Sequence, residues 1–181
     1  MLEPAHAREI LKSAEQLCSA AAVQRALERV AADITCALAE TNPLVLCVMG
    51  GAVVFCGRLL PLLEFPLDFD YLHVTRYGNA VSGGGIEWKA FPQAAMAGRT
   101  VLVVDDILDE GHTMADIRAR VLAAGATRFY SAVFADKDLG RPKPLSADFV
   151  GVTLPNRYVF GFGMDVKGAW RNLPAIYALR E

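Results

Sequence analysis

The stretch Val101-Leu102-Val103-Val104-Asp105-Asp106-Ile107-Leu108-Asp109-Glu110-Gly111-His112-Thr113 decides the fold. Its first four residues form an apolar run that suits a strand buried on both faces. Carboxylates and a glycine follow, and Met114 to Ala124 then places Ile117, Val121 and Leu122 at helical spacing up to Gly125. Phe129 to Ala135 reads as another strand. Strand, loop, helix and strand in this order imply a right-handed parallel crossover. The fold class is therefore α/β, with a central, mainly parallel sheet flanked by helices. Ligands of such sheets collect beyond the carboxyl ends of the strands, and the acids stand at such an end.

Upstream, Leu44 to Met49 is a short apolar run closed by Gly50-Gly51, which suits a second buried strand and a tight turn into a helix over Ala52 to Leu63. Before it, Val23, Ala26, Leu27, Val30, Ile34 and Leu38 recur at helical spacing, and this amphipathic helix ends near Asn42-Pro43. Leu67 to Thr75, with Phe69, Tyr71, Leu72 and Val74, reads as a strand. Arg76 to Gly98 carries Gly78, Gly83, Gly84, Gly85 and a lone Trp88 with little periodicity. Loops this long are uncommon unless they act, for example by closing over a ligand; a β-hairpin inside the segment is the alternative. From Lys137 onward prolines and glycines accumulate, which predicts short strands and loops that pack with the N-terminal helices as a small hood lobe. One domain over 1–181 is expected, with a core of roughly 42–136 and a hood from 1–41 and 137–181.

A chain of 181 residues, 54% hydrophobic and 21% charged, suits one globular domain able to bury a core. Its net charge of −2 and pI near 5.9 lack the electrostatic footprint of a protein that coats nucleic acid. The longest uncharged stretch, Pro43 to Gly57, falls short of the roughly 20 residues a bilayer requires. The N-terminus lacks the order of a signal peptide, and Glu3 and Glu9 argue against a mitochondrial presequence, so a cytoplasmic location is expected. Cys18, Cys36, Cys47 and Cys56 form no C-x-x-C pair and no zinc spacing, and are read as reduced thiols.

The acids of the opening stretch repel one another unless a cation or sugar hydroxyls occupy them. Carboxylate oxygens suit Mg²⁺ and the vicinal hydroxyls of a ribose, so Asp105 and Asp106 can serve directly or through metal-bound water. Asp109, Glu110, Gly111, His112 and Thr113 lead into a helix whose first turn presents unpaired N–H groups. With the Thr113 hydroxyl these suit a phosphate dianion, and Gly111 allows close backbone approach. A phosphorylated ribose fits both halves. The alternative is that Asp109 caps the helix and Asp105 and Asp106 are solvated turn residues.

The same thirteen residues resemble the phosphoribosyl pyrophosphate signature of type I phosphoribosyltransferases. Leu46-Cys47-Val48-Met49-Gly50-Gly51, Arg76-Tyr77, Asp136-Lys137, Asp148-Phe149-Val150-Gly151, Arg157-Tyr158-Val159 and Asp165 resemble the hypoxanthine-guanine branch in order and spacing, over roughly residues 44 to 173. The resemblance implies the hooded α/β fold of that family and purine salvage: transfer of the phosphoribosyl group to hypoxanthine or guanine with release of pyrophosphate. It places ribose and phosphate on Asp105 to Thr113 and gives Asp109 a catalytic role near the purine N7. Pyrophosphate falls to Gly50, Gly51, Arg76, Tyr77 and Arg171, with Arg141 as a candidate beside it. The purine falls to Lys137, which donates to the 6-oxo group, to the aromatic Tyr158, to the Val159 backbone and to Asp165. Mg²⁺ is implied as cofactor, with Asp105, Asp106 and Asp165 at the metals, and a homo-oligomer as the active form.

Three positions depart from the family pattern. Gly50 stands where many relatives have lysine in a turn with a cis peptide, Arg76 where many have serine, and His112 where lysine is common. Two readings compete with the first. One is a xanthine-preferring enzyme. The other is a regulator that senses phosphoribosyl pyrophosphate and binds nucleic acid, against which net charge −2 and the lack of a helix-turn-helix segment count.

Overall fold

The computed structural model describes residues 2–76 and 86–180. In chain order these form α1 (Pro4–Ser13), β1 (Glu15–Cys18), α2 (Ala20–Leu38), β2 (Leu44–Met49), α3 (Val53–Leu59), β3 (Asp68–Arg76), β4 (Ile86–Ala90), β5 (Thr100–Leu108), α4 (His112–Ala123), β6 (Arg128–Asp138), β7 (Phe149–Pro155), β8 (Val159–Phe160) and β9 (Ile176–Ala178). Six strands lie in the order β4-β3-β2-β5-β6-β7. Every neighbouring pair is parallel except β3 and β4. That is the central, mainly parallel sheet expected from the apolar runs. Fully parallel strands need both faces covered, and α2 packs on β7, α3 on β2 and β5, and α4 on β6. A second, antiparallel sheet, β1-β9-β8, joins segments from opposite ends of the described chain.

The local chemistry accounts for the boundaries. Ser19 caps α2, accepting from the Ala22 amide at 3.3 Å, and Val23, Leu27, Val30, Ile34 and Leu38 face the core. The run Leu44 to Val48 is buried throughout. The helix expected over Ala52 to Leu63 stops at Leu59 and tightens into a 3₁₀ turn over Leu60–Leu62, where Pro61 cannot supply an amide to an α-helix. In α4, Ile117 and Val121 are buried, whereas Leu122, read as part of the same stripe, faces out. Phe69 and Tyr71 on β3 are exposed as well.

The long loop expected over Arg76 to Gly98 contains β4, which returns antiparallel along β3 in the hairpin arrangement held as the alternative. Trp88 sits on β4 with the Arg120 guanidinium over its ring at 4.9 Å. Beyond Lys137 the main sheet still gains a full strand, β7, paired from Ala132↔Phe149 to Asp138↔Pro155. Arg29 of α2 donates to the carbonyls of Val150 and Gly151 on that strand. Thus α2 and β7, both within the ranges expected to form the hood, lie on and in the six-stranded sheet.

Phe134 of β6 is fully buried, edge-on to Phe55 of α3 at 5.4 Å and against Phe162 at 4.3 Å between ring centroids. It therefore joins the sheet, one covering helix and the segment after β8. Phe134→Ala removes that hub, and the expected cost is about 3–5 kcal/mol of unfolding free energy. Urea denaturation measures it, and a loss below about 1 kcal/mol would contradict the assignment.

Candidate active site

Strand β5 pairs with β2 only from Leu44↔Val101 to Cys47↔Val104, while on its other side it pairs with β6 as far as Leu108↔Asp136. The sequence placed the acids in a loop after Val104; the structure keeps Asp105 and Asp106 in the strand, held on one side and open on the other. The open side is where β2 turns away through Gly50 and Gly51, and the peptide bond between Met49 and Gly50 is cis. A Cβ on Gly51 would lie 2.0 Å from Asp106 Oδ2, so only glycine lets the turn approach the acid. A Cβ on Gly163 would in turn lie 2.2 Å from the Gly51 carbonyl, which brings the segment after β8 onto the same turn. Gly50 differs: nothing stands within 4 Å of a Cβ there, so the absence of the family lysine is not imposed by crowding.

Burial pushes the Asp105 carboxyl well above the usual carboxylate range, and the charge of Asp106 adds to the rise. Asp106 is raised too, because burial outweighs the hydrogen bond with Asp105, the Ile107 amide and the Arg171 guanidinium, all of which favour its charge. Two neighbouring, half-buried carboxyls have the chemistry to take a hard cation or hydroxyl donors.

Past β5, the N-cap of α4 is Gly111 with φ of 84° and no side-chain cap. Asp109 therefore does not cap the helix as the alternative reading had it. It accepts instead from Lys137 Nζ at 3.0 Å. The first amides of α4 are left to a ligand or to solvent, with His112 exposed and Thr113 partly so. Glu110 accepts from Arg141 at 3.2 Å, so Arg141 stands at this loop.

A cavity of about 250 Å³ is lined by Asp106, Ile107, Asp109, Lys137, Tyr158, Val159, Met164, Asp165 and Arg171. Seven of these were singled out in the sequence. The other two, Ile107 and Met164, supply apolar wall and carried no signal beyond hydrophobicity. Tyr158 is 53% exposed, with its hydroxyl donating to the Asp165 carbonyl at 3.3 Å, which leaves the ring available to a flat ligand. Asp165 already has partners: Arg171 Nη2 at 2.5 Å on one oxygen and the Gly168 amide at 2.6 Å on the other. Arg171 also donates to the Gly163 carbonyl at 2.6 Å. Arg76 closes β3, and Tyr77 lies outside the described residues.

A family model described as the phosphoribosyl transferase domain matches residues 13–167. The chain belongs to the phosphoribosyl transferase family. It is 33% identical over 160 residues to the hypoxanthine-guanine-xanthine phosphoribosyltransferase of Tritrichomonas foetus, covering 88% of this chain and 87% of that protein. It is 31% identical to the hypoxanthine-guanine phosphoribosyltransferase of Bacillus subtilis, covering 91% and 92% of the two. Among solved structures, a hypoxanthine-guanine-xanthine phosphoribosyltransferase superposes with a TM-score of 0.83 at 31% identity, over 92% of this chain and 97% of that one. The strand-end acids, the uncapped helix and the cleft thus lie on a phosphoribosyl transferase fold.

The raised carboxyls have a consequence for stability. A carboxyl whose folded value exceeds its unfolded value, near 3.8, favours the folded state most at low pH, and that contribution is lost as pH rises through the folded value. The ligand-free protein should therefore lose stability as pH climbs from about 4 through the raised range. The Asp105→Asn/Asp106→Asn pair should flatten that slope. Melting temperature against pH for both proteins measures it, and identical slopes would remove these residues as the cause.

Proposed function

We propose that this chain is a purine salvage enzyme that transfers the 5-phosphoribosyl group from phosphoribosyl pyrophosphate to hypoxanthine or guanine, giving inosine or guanosine monophosphate and pyrophosphate. The observation that carries the reading is the Asp109–Lys137 pair, which stands in one cavity with Asp106 on its sugar side and Tyr158 on its base side.

The 5′-phosphate is assigned to the amides that open α4 and to Thr113, within the run from Asp109 to Thr113. Asp105 and Asp106 take the ribose hydroxyls. Their half-buried, adjacent carboxyls also fit Mg²⁺, although among the described residues no group of three or more His, Cys, Asp or Glu is placed to hold a metal alone. The ion would be shared between these carboxylates and the substrate's own oxygens, and it would neutralise charge on the leaving pyrophosphate. Asp165 has a smaller part in this, because Arg171 already satisfies it. Gly50, Gly51 and Arg171 line the pyrophosphate end, where backbone groups replace the missing lysine, and Arg76 and Tyr77 begin the segment assigned to cover it.

At the base end, the ring of Tyr158 stacks on the purine, a contact worth about 1–3 kcal/mol in comparable cases. Val159 offers backbone groups. Lys137, with three N–H donors and no acceptor, donates to the 6-oxo group and so disfavours adenine. Asp109, between sugar and base, receives the proton at N7 or stabilises it as the glycosidic bond forms, and the Lys137 ammonium beside it holds that carboxylate in place. The small β1-β9-β8 sheet, next to Tyr158 and Val159, is assigned the part of the hood over the base. A homo-oligomer in the cytoplasm, with no membrane or nucleic-acid partner, completes the proposal; no helix among the described residues is long and apolar enough to cross a membrane.

Initial rates with hypoxanthine, guanine, xanthine and adenine, with and without Mg²⁺, test the reading. The three 6-oxopurines should outpace adenine, and every rate should depend on the metal; adenine as the best substrate would overturn the part given to Lys137. Xanthine shares the 6-oxo group and differs at position 2, so the same series ranks it. Asp109→Asn should lower turnover about a hundredfold or more while changing phosphoribosyl pyrophosphate binding far less. Equal losses in turnover and in calorimetric affinity would give Asp109 a binding role only.

A further inference from the structure

Lys143 follows β6 by five residues in a proline-rich segment, and its side chain is only 11% exposed. Its Nζ donates to the Leu108 carbonyl at 2.7 Å and to Asp136 Oδ1 at 2.5 Å. Leu108 and Asp136 face each other across β5 and β6, as the last of the paired positions those strands share. One residue further along each strand stand Asp109 and Lys137, 3.0 Å apart. The ammonium of Lys143 thus closes the ladder immediately before the two residues assigned to the junction of sugar and base.

The segment makes two further contacts with the phosphate loop. A Cβ at Gly111 would lie 3.3 Å from Lys143 Cβ and 3.4 Å from both Pro144 Cδ and the Leu145 carbonyl, so the segment presses on the residue that opens α4. Two residues before Lys143, Arg141 pairs with Glu110. Residues 141–145 therefore form a strap over 108–111, with one buried ammonium as its central tie.

We infer that Lys143 is a positioning residue: its bonds to Leu108 and Asp136 fix the ends of β5 and β6 so that Asp109 and Lys137 meet at hydrogen-bonding distance. The inference rests on the proposed function. A strand end without its last tie is free to fray, and a displacement of about 1 Å at a reacting group costs a large factor in rate. A point charge with three donors suits the task, because it satisfies a carbonyl on one strand and a carboxylate on the other at once.

A double-mutant cycle separates this role from general support of the fold. At a temperature well below unfolding, Lys143→Met should lower kcat/KM for hypoxanthine about tenfold or more, whereas in a Lys137→Met background it should change it less than about twofold. The preference for hypoxanthine over adenine should narrow in Lys143→Met as well. Equal losses in both backgrounds, or an unchanged preference, would overturn the inference. Should Lys143→Met not fold, Asp136→Asn removes one anchor of the tie and leaves the lysine in place, and the same cycle applies. Should the wild-type protein turn over none of the four bases, the functional reading falls separately. A crystal structure of the variant then decides: an Asp109–Lys137 distance beyond hydrogen bonding supports the tie, and an unchanged pair refutes it.

Discussion

One unpaired edge organises this molecule. Beyond Val104, strand β5 keeps its neighbour on the β6 side and loses the one on the β2 side. Backbone pairing on one side holds the acids in register, and the lost pairing on the other makes the cleft. Gly51 lets the departing turn come close to Asp106, and Gly163 lets the segment after β8 come close to the turn.

The electrostatics follow from that geometry. Asp105 and Asp106 are adjacent and half-buried, and the loss of water around them raises both. Three cations stand around the cleft, each with a partner of its own: Arg171 with Asp165, Lys137 with Asp109, and Lys143 with Asp136. Arg171 also favours the charge of Asp106, but burial outweighs it. Lys137 and Arg171 stand at the cavity wall with Asp106.

The sequence was most legible where structure is local. Leu44 to Met49 is a strand to the residue, because an all-apolar run between a proline and two glycines has few other uses. The strand-to-helix crossover was legible for the same reason; of the seven cavity residues named, Asp106 and Asp109 came from the strand-end acids and the other five from the family resemblance. What was hidden depends on distant partners. Asp105 to Leu108 look like loop, and only the ladder with β6 makes them strand. Strand β7 looked like part of a loop-rich lobe until β6 and Arg29 claimed it. Lys143, in a stretch of prolines, carries no pattern that separates it from a surface lysine; its two acceptors lie 7 and 35 residues away.

The two sheets differ in how much chain each contact closes. The run assigned to the phosphate and the acid pair come from consecutive residues on one strand, one loop and one helix turn. The small sheet beside Tyr158 is different: Gln16 reaches the Tyr177 hydroxyl at 3.2 Å across 161 residues of sequence, and Glu15 accepts from Arg157, next to Tyr158. Loop-closure entropy rises with the length enclosed, and this contact encloses most of the chain. In chain-entropy terms, the half of the site assigned to the sugar is a short circuit, and the half assigned to the base stands beside a long one. The half assigned to the sugar is therefore local and self-contained, and the half assigned to the base depends on contacts between distant parts of the chain.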